Sequence, residues 1–97
     1  MEKVIKRDGQ LVDFNEEKIT DAIERAGVAT KEFDRKVAKN LAQQAAEKAY
    51  EILQSKQQLL KTMSVEEIQD IVEEVLLDSS YKKAAKSYVI YREQRAK

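Results

Sequence analysis

The sequence predicts a mainly α fold with a small β lid (α+β): one short β-hairpin followed by four amphipathic helices. Three observations predict it. Asp8-Gly9 separates two runs, VIKR and QLVDF, that read as strands meeting at a tight turn. Apolar residues then recur at helical spacing in four successive segments. The chain of 97 residues has no Pro and only two Gly, with 37% charged and 42% hydrophobic residues, a make-up that suits helices. The length fits one domain, residues 1–97.

Taken as a two-residue turn, Asp8-Gly9 sets Arg7 opposite Gln10, Lys6 opposite Leu11, Ile5 opposite Val12 and Val4 opposite Asp13. Side chains alternate along a strand, so Ile5, Val12 and Phe14 share one face and Val4, Lys6 and Leu11 the other. Both faces are partly apolar, and an isolated hairpin is marginal in water. A third strand is therefore expected beside it, from the extended piece around Leu59 and Leu60.

A helix signal follows Phe14 at once. Asn15 is an N-cap, Glu16 and Glu17 suit the positive end of the helix dipole, and Ile19, Ala22, Ile23 and Ala26 form the stripe. Gly27 is the expected stop. The second helix is expected from about Glu32 to about Gln54, with Phe33, Val37, Leu41, Ala45, Ala49 and Ile52 inward. Ser64-Val65-Glu66-Glu67 is a capping box that opens a third helix carrying Val65, Ile68, Ile71, Val72, Val75 and Leu76. Asp78-Ser79-Ser80 ends it and caps the fourth, whose inner face is Tyr81, Ala84, Ala85, Tyr88 and Val89.

Composition excludes several functions. Lys+Arg and Asp+Glu both number 18, so the chain lacks the basic excess of a nucleic-acid binder. No apolar run approaches the roughly 18 residues of a membrane span and no signal peptide is visible, so a cytoplasmic location is expected. With no Cys and no His, thiolate nucleophiles, imidazole bases and Cys/His metal sites are excluded. Gly9 and Gly27 alone cannot build a P-loop or a G-x-G-x-x-G cradle. The acidic pairs Glu16/Glu17, Glu66/Glu67 and Glu73/Glu74 are sequence neighbours, which diverge on a helix and cannot flank one scissile bond. No catalytic residue and no metal ligand emerges, and the chain is not expected to be an enzyme.

The hairpin tip suggests binding instead. The first helix begins directly after the second strand, so its free amides and positive dipole end face the hairpin. Lys18 in its first turn is electrostatically misplaced unless an anion lies nearby. Lys6, Arg7, Lys18 and this helix start describe a polyphosphate pocket, and Val4, Leu11 and Ile19 an apolar slot for a planar base. The plainer alternative is that the three cations are ordinary solvated charges.

The run Val4-Ile5-Lys6-Arg7-Asp8-Gly9, followed by Phe14-Asn15-x-x-Lys18-Ile19, resembles the ATP-cone. This is the regulatory nucleotide-binding domain known from the N-terminus of ribonucleotide reductases. The resemblance continues through SVEEIQDIVEEVL and the closing AKSYVIYREQR, which is similar to a terminal Y-R-x-x-R signature, and so spans Val4 to Arg95. It implies a four-helix bundle lidded by a hairpin or three-stranded sheet, with ATP or dATP and magnesium held between them. On this resemblance Val4 and Ile19 lie against the nucleoside, Lys6, Arg7 and Lys18 near the phosphates, and Asn15 near the adenine. Leu11, Val12, Gln69 and Arg95 are further candidates. Val12 departs from the polar residue many members carry there, which leaves adenine recognition to Asn15 and backbone groups.

The resemblance also implies allosteric control of a reductase, the anaerobic kind included, with the catalytic domain or another subunit as partner and cone–cone self-association as a further possibility. With no Cys, and Met1 two residues ahead of the first strand, the zinc ribbon of transcriptional-repressor members is not expected. The alternatives are a free-standing or otherwise fused ATP-sensing cone, and a helical protein-interaction module.

Overall fold

The hairpin is built one residue differently from the turn just described, and that difference sets which side chains face the bundle. The computed structural model describes residues 3–55 and 62–95. Strand β1 (Lys3–Ile5) pairs antiparallel with β2 (Leu11–Asp13) in the register Lys3↔Asp13, Val4↔Val12, Ile5↔Leu11. Lys6 N–H donates to the Gln10 carbonyl and Gly9 N–H to the Lys6 carbonyl, each at 2.9 Å, and Gly9 has φ of 88°. This is a three-residue connection, a turn over Arg7-Asp8 closed by a left-handed glycine. A two-residue turn of the Asp-Gly type would need positive φ at Asp8 as well, whereas Asp8 instead spends its carboxylate on the Gln10 N–H at 3.0 Å.

The consequence is a corrected face assignment. Val4 and Val12 are cross-strand partners and point inward with Phe14, while Ile5 and Leu11 point out. Val4 is 5% exposed and Leu11 62%. The expected pairing of Ile5 with Val12, and of Leu11 with Val4 on one face, does not occur.

A third strand is present as β3 (Met63–Ser64), parallel to β1 through Val4↔Met63 and Ile5↔Ser64, which gives the order β2-β1-β3. The expected location at Leu59 and Leu60 lies outside the described residues. Met63 is buried beneath the sheet, and Ser64 passes directly into the next helix.

Helix α1 (Glu16–Ala29) starts as expected at Asn15, whose Oδ1 accepts the Glu17 N–H at 2.9 Å. It does not stop at Gly27. It runs to Ala29, with Thr30 as C-cap and Lys31 in the left-handed region at φ 59°. Gly27 is there for a different reason: a Cβ at this position would lie 2.1 Å from the Phe33 ring, so only glycine lets that ring lie across α1. Phe33 in turn meets Tyr81 edge to face at 4.9 Å.

Helix α2 (Arg35–Ser55) begins three residues later than expected. Asp34 caps it, accepting from the Lys36 and Val37 amides at 3.1 and 3.4 Å. Glu32 stays outside the helix and accepts the Ala84 N–H at the start of the fourth helix. Near its end Leu53 is buried and Ile52 only half-buried, one position on from the expected stripe.

Helix α3 (Val65–Asp78) carries the complete capping box: Ser64 Oγ accepts the Glu67 N–H at 3.0 Å and Glu67 Oε1 accepts the Ser64 N–H at 3.2 Å. We expect Ser64→Ala to cost about 1 kcal/mol, seen as a fall of about 4–8 °C in the melting midpoint. An unchanged midpoint would show that β3, not the cap, fixes this helix start. Helix α4 (Lys82–Arg95) buries Ala84, Ala85 and Tyr88.

The helices form a ring in which α1 and α3 each pack on α2 and α4, so α1 and α3 sit diagonally. The sheet closes the end where α1 and α3 begin. No described helix is long and apolar enough to cross a membrane.

Candidate functional site: a cavity under the hairpin

Because Val4, Val12 and Phe14 face inward without filling the space below them, a cavity of about 270 Å³ remains between the sheet and the bundle. This is close to the lower end of small-molecule pockets, roughly 300–1,000 Å³. The hairpin supplies Val4, Lys6 and Val12, the start of α1 supplies Lys18, Ile19 and Ala22, and α3 supplies Val65, Ile68, Gln69 and Val72. Phe14, Asn15, Asp13 and Tyr88 complete the lining.

Polar groups sit at particular points in this largely apolar shell. Lys6 and Lys18 are exposed and have no ion-pair partner among the described residues. They come from opposite ends of the strand–turn–helix segment, yet border one cavity. Asp13 at the rim is paired with Lys3, whose hydrogen bond and charge hold its carboxyl below the usual range. The first-turn amides of α1 offer less than expected, since Asn15 Oδ1 takes the Glu17 N–H and the Asn15 carbonyl takes that of Lys18 at 3.1 Å. The two lysine side chains and the helix dipole therefore supply most of the positive potential.

Of the sequence-derived site residues, Val4, Lys6, Val12, Asn15, Lys18, Ile19 and Gln69 all line this cavity. Three do not. Leu11 is on the outer face of the sheet for the register reason above. Arg7 turns away to an ion pair with Glu66 at the start of α3. Arg95 lies on the outside of α4 with its guanidinium 5.8 Å from the Tyr91 ring, which the Arg25 guanidinium also approaches, at 4.6 Å.

Two neighbours of the cavity were not legible as site residues. Tyr88 reads as an ordinary core position of α4, but its ring lines the cavity, and no described group hydrogen-bonds its hydroxyl. Burial pushes its pKa up to about 12, so it is a neutral phenol at ordinary pH. Arg92 belongs to the terminal Y-R-x-x-R run, and its side chain is only 16% exposed. It donates to Gln69 Oε1 and to the Glu66 carbonyl, both at 3.2 Å, and pairs with Asp70 at 2.8 Å and Glu73 at 3.7 Å. The signal in the sequence is an arginine one turn beyond an inward tyrosine, too common to single out.

Among the described residues no cluster of three or more Asp or Glu could hold a metal ion.

Comparison with known proteins is consistent from end to end. A family model described as the ATP cone domain matches residues 2–97. The chain is 41% identical over 100 residues to a vitamin B12-dependent ribonucleoside-diphosphate reductase of Thermoplasma acidophilum, covering 98% of this chain and 12% of that protein. It is 34% identical to the ribonucleoside-diphosphate reductase subunit alpha of Chlamydia pneumoniae, over 97% of this chain and 9% of that one. It is also 34% identical to the anaerobic ribonucleoside-triphosphate reductase of Salmonella typhimurium, over 95% and 12% respectively. The chain spans about a tenth of the length of these curated relatives.

Proposed function

The chain belongs to the ATP-cone family, and on that premise we propose that it is the regulatory nucleotide-binding domain of a ribonucleotide reductase, taking ATP or dATP into the cavity under the hairpin. The observation that carries this reading is the pair Lys6 and Lys18, unpaired among the described residues, at a largely apolar cavity whose carboxylate, Asp13, is taken up by Lys3. An exposed pair of lysines bordering one cavity, neither of them ion-paired among the described residues, suits a polyphosphate with its magnesium. The slot between Val4, Val12 and Ile19 suits the nucleoside. Asn15 can cap α1 and still meet the base, because the cap uses Oδ1 and leaves the Nδ2 hydrogens for the cavity.

Arg7 reaches the phosphates in this reading only by leaving Glu66. That exposed pair is worth under about 1 kcal/mol, which a charged phosphate oxygen readily offsets. Leu11 and Arg95 are no part of the proposed site. The protein has no catalytic role of its own here. Its partners are the catalytic part of the reductase and, in some assemblies, a second cone. A nucleotide shifts such an assembly only by the difference in its affinity for two arrangements.

The test is calorimetric titration of ATP into Lys6→Ala and Lys18→Ala. Each should weaken binding by about 1.5–3 kcal/mol, the usual worth of a hydrogen bond to a charged group. Folding should change by no more than about 0.5 kcal/mol, since both side chains are exposed. Unchanged affinity in both variants would remove the phosphate role from this cavity.

A further inference from the structure

The cavity holds two carboxamides, Asn15 and Gln69, and both have their orientation dictated by chemistry. A guanidinium has five N–H donors and no acceptor. The Gln69 atom that meets Arg92 Nε at 3.2 Å must therefore be its oxygen. Its NH2 group is then the part left for the cavity that Gln69 lines, and it has no partner among the described residues. The same logic fixes Asn15, whose oxygen accepts a backbone N–H.

We infer that Arg92 is a positioning residue that locks Gln69 as a hydrogen-bond donor toward the cavity, so that the site selects purines whose ring nitrogens all accept. The inference rests on the nucleotide reading of this cavity. Arg92 is well built for the task. The Glu66 carbonyl, Asp70 and Glu73 hold the rest of its guanidinium against α3, and its side chain is largely buried. For Gln69 to flip, it would have to turn its NH2 group onto the guanidinium, donor against donor. The Tyr88 hydroxyl, the remaining uncharged polar group of the lining, can donate or accept and so imposes no choice.

Two locked donors and one adaptable hydroxyl favour an acceptor-rich ring. Adenine offers N1, N3 and N7 as acceptors with one exocyclic donor. Guanine and hypoxanthine also accept at N3, N7 and O6 but carry a hydrogen on N1, so the discrimination comes from an amide donor set against N1, where adenine accepts and they do not. Val12, an apolar wall, supplies no acceptor to rescue them, and the Asp13 carboxylate at the rim is engaged by Lys3. Selection thus comes from a residue of α4 that stands behind the wall, acting through one of α3.

The experiment compares ATP with inosine triphosphate, which differs only at position 6 and in the N1 hydrogen, by calorimetric titration with magnesium. The unmodified chain should favour ATP by about tenfold or more, the range set by one unsatisfied buried donor. Gln69→Glu turns the donor into an acceptor of the same shape and should narrow that ratio by about tenfold or invert it. Its added charge would weaken both nucleotides alike, which leaves the ratio as the readout. Arg92→Lys keeps a cation for Asp70 and Glu73 but releases the amide to rotate. It should narrow the ratio while changing ATP affinity by no more than a few fold. A ratio unchanged in Gln69→Glu overturns the inference even if Arg92→Lys fails to fold. Equal losses for both nucleotides in Arg92→Lys would reduce Arg92 to a structural brace and overturn it too. If the unmodified chain binds ATP and inosine triphosphate equally, donor selection is wrong while the nucleotide site stands. If it binds neither, the nucleotide reading itself has failed.

Discussion

Saturating ATP with magnesium is expected to raise the melting midpoint of this domain by on the order of 10 °C or more. A ligand that binds only the folded state stabilises it by RT ln(1 + [L]/Kd), about 2.7 kcal/mol at a hundredfold excess over Kd. In a domain of this size each kcal/mol moves the midpoint by about 4–8 °C. The unfolded chain cannot compete for the ligand, because the cavity draws on the hairpin, α1, α3 and α4 at once. dATP should give a comparable shift, since the lysines and the apolar walls meet groups the two nucleotides share.

The same scan separates the contributions. CTP and UTP should shift the midpoint less, because a single ring leaves Val4, Val12 and Ile19 poorly covered. GTP should lag behind ATP if Asn15 and Gln69 present donors to the base. Tripolyphosphate alone should give a small shift that disappears as salt is raised, because Lys6 and Lys18 are exposed and screened. No shift with any adenine nucleotide would sink the proposed function. Equal shifts for ATP and dATP would leave binding intact and mean that this domain alone does not discriminate between them.

The first three helices were open to reading because each carries a 3.6-residue stripe several turns long, whereas α4 buries only Ala84, Ala85 and Tyr88 and is the least amphipathic of the four. The Ser64 capping box and the Asn15 cap are local chemistry and are equally plain. What is not legible is decided by contacts distant in sequence or by small energy differences. Asp8-Gly9 fits a two-residue or a three-residue connection, and the choice turns on one carboxylate–amide bond, yet it exchanges Leu11 for Val12 at the cavity. Gly27 looks like a helix end until Phe33 is seen lying on it. Within the site, Val4, Lys6, Asn15, Lys18 and Ile19 are legible because one strand–turn–helix segment brings them together. Tyr88 and Arg92 reach the same place only through the packing of α4 on α1 and α3, which no local pattern announces.

Leu76→Ala is expected to cost about 3–5 kcal/mol, the upper part of the range for such truncations, and so to lower the midpoint by well over 10 °C. The reason lies in how this core is filled. The face of α2 that meets its neighbours is built largely from Ala38, Ala42, Ala45, Ala46 and Ala49, all buried, with Leu41 and Leu53 as its large buried side chains. The rest of the space is taken up by large side chains from the other elements, with Ile23, Met63, Val72 and Leu76 the largest that are fully enclosed. Alanines have no rotamers with which to close a gap, and α3 is held at its start by the capping box, β3 and Arg92. The void left at Leu76 should therefore stay open. Leu76→Met, which keeps the volume, should cost under about 1.5 kcal/mol. Set against a total of about 5–15 kcal/mol for a chain of this length, the alanine variant removes a large share of the stability. Leu76 does not line the cavity under the hairpin, so the ATP-induced gain in stability should survive in it unchanged. A cost below about 1.5 kcal/mol would mean that α3 can settle onto α2. Loss of the ATP gain would mean that the cavity depends on a core packed more tightly than its own walls require.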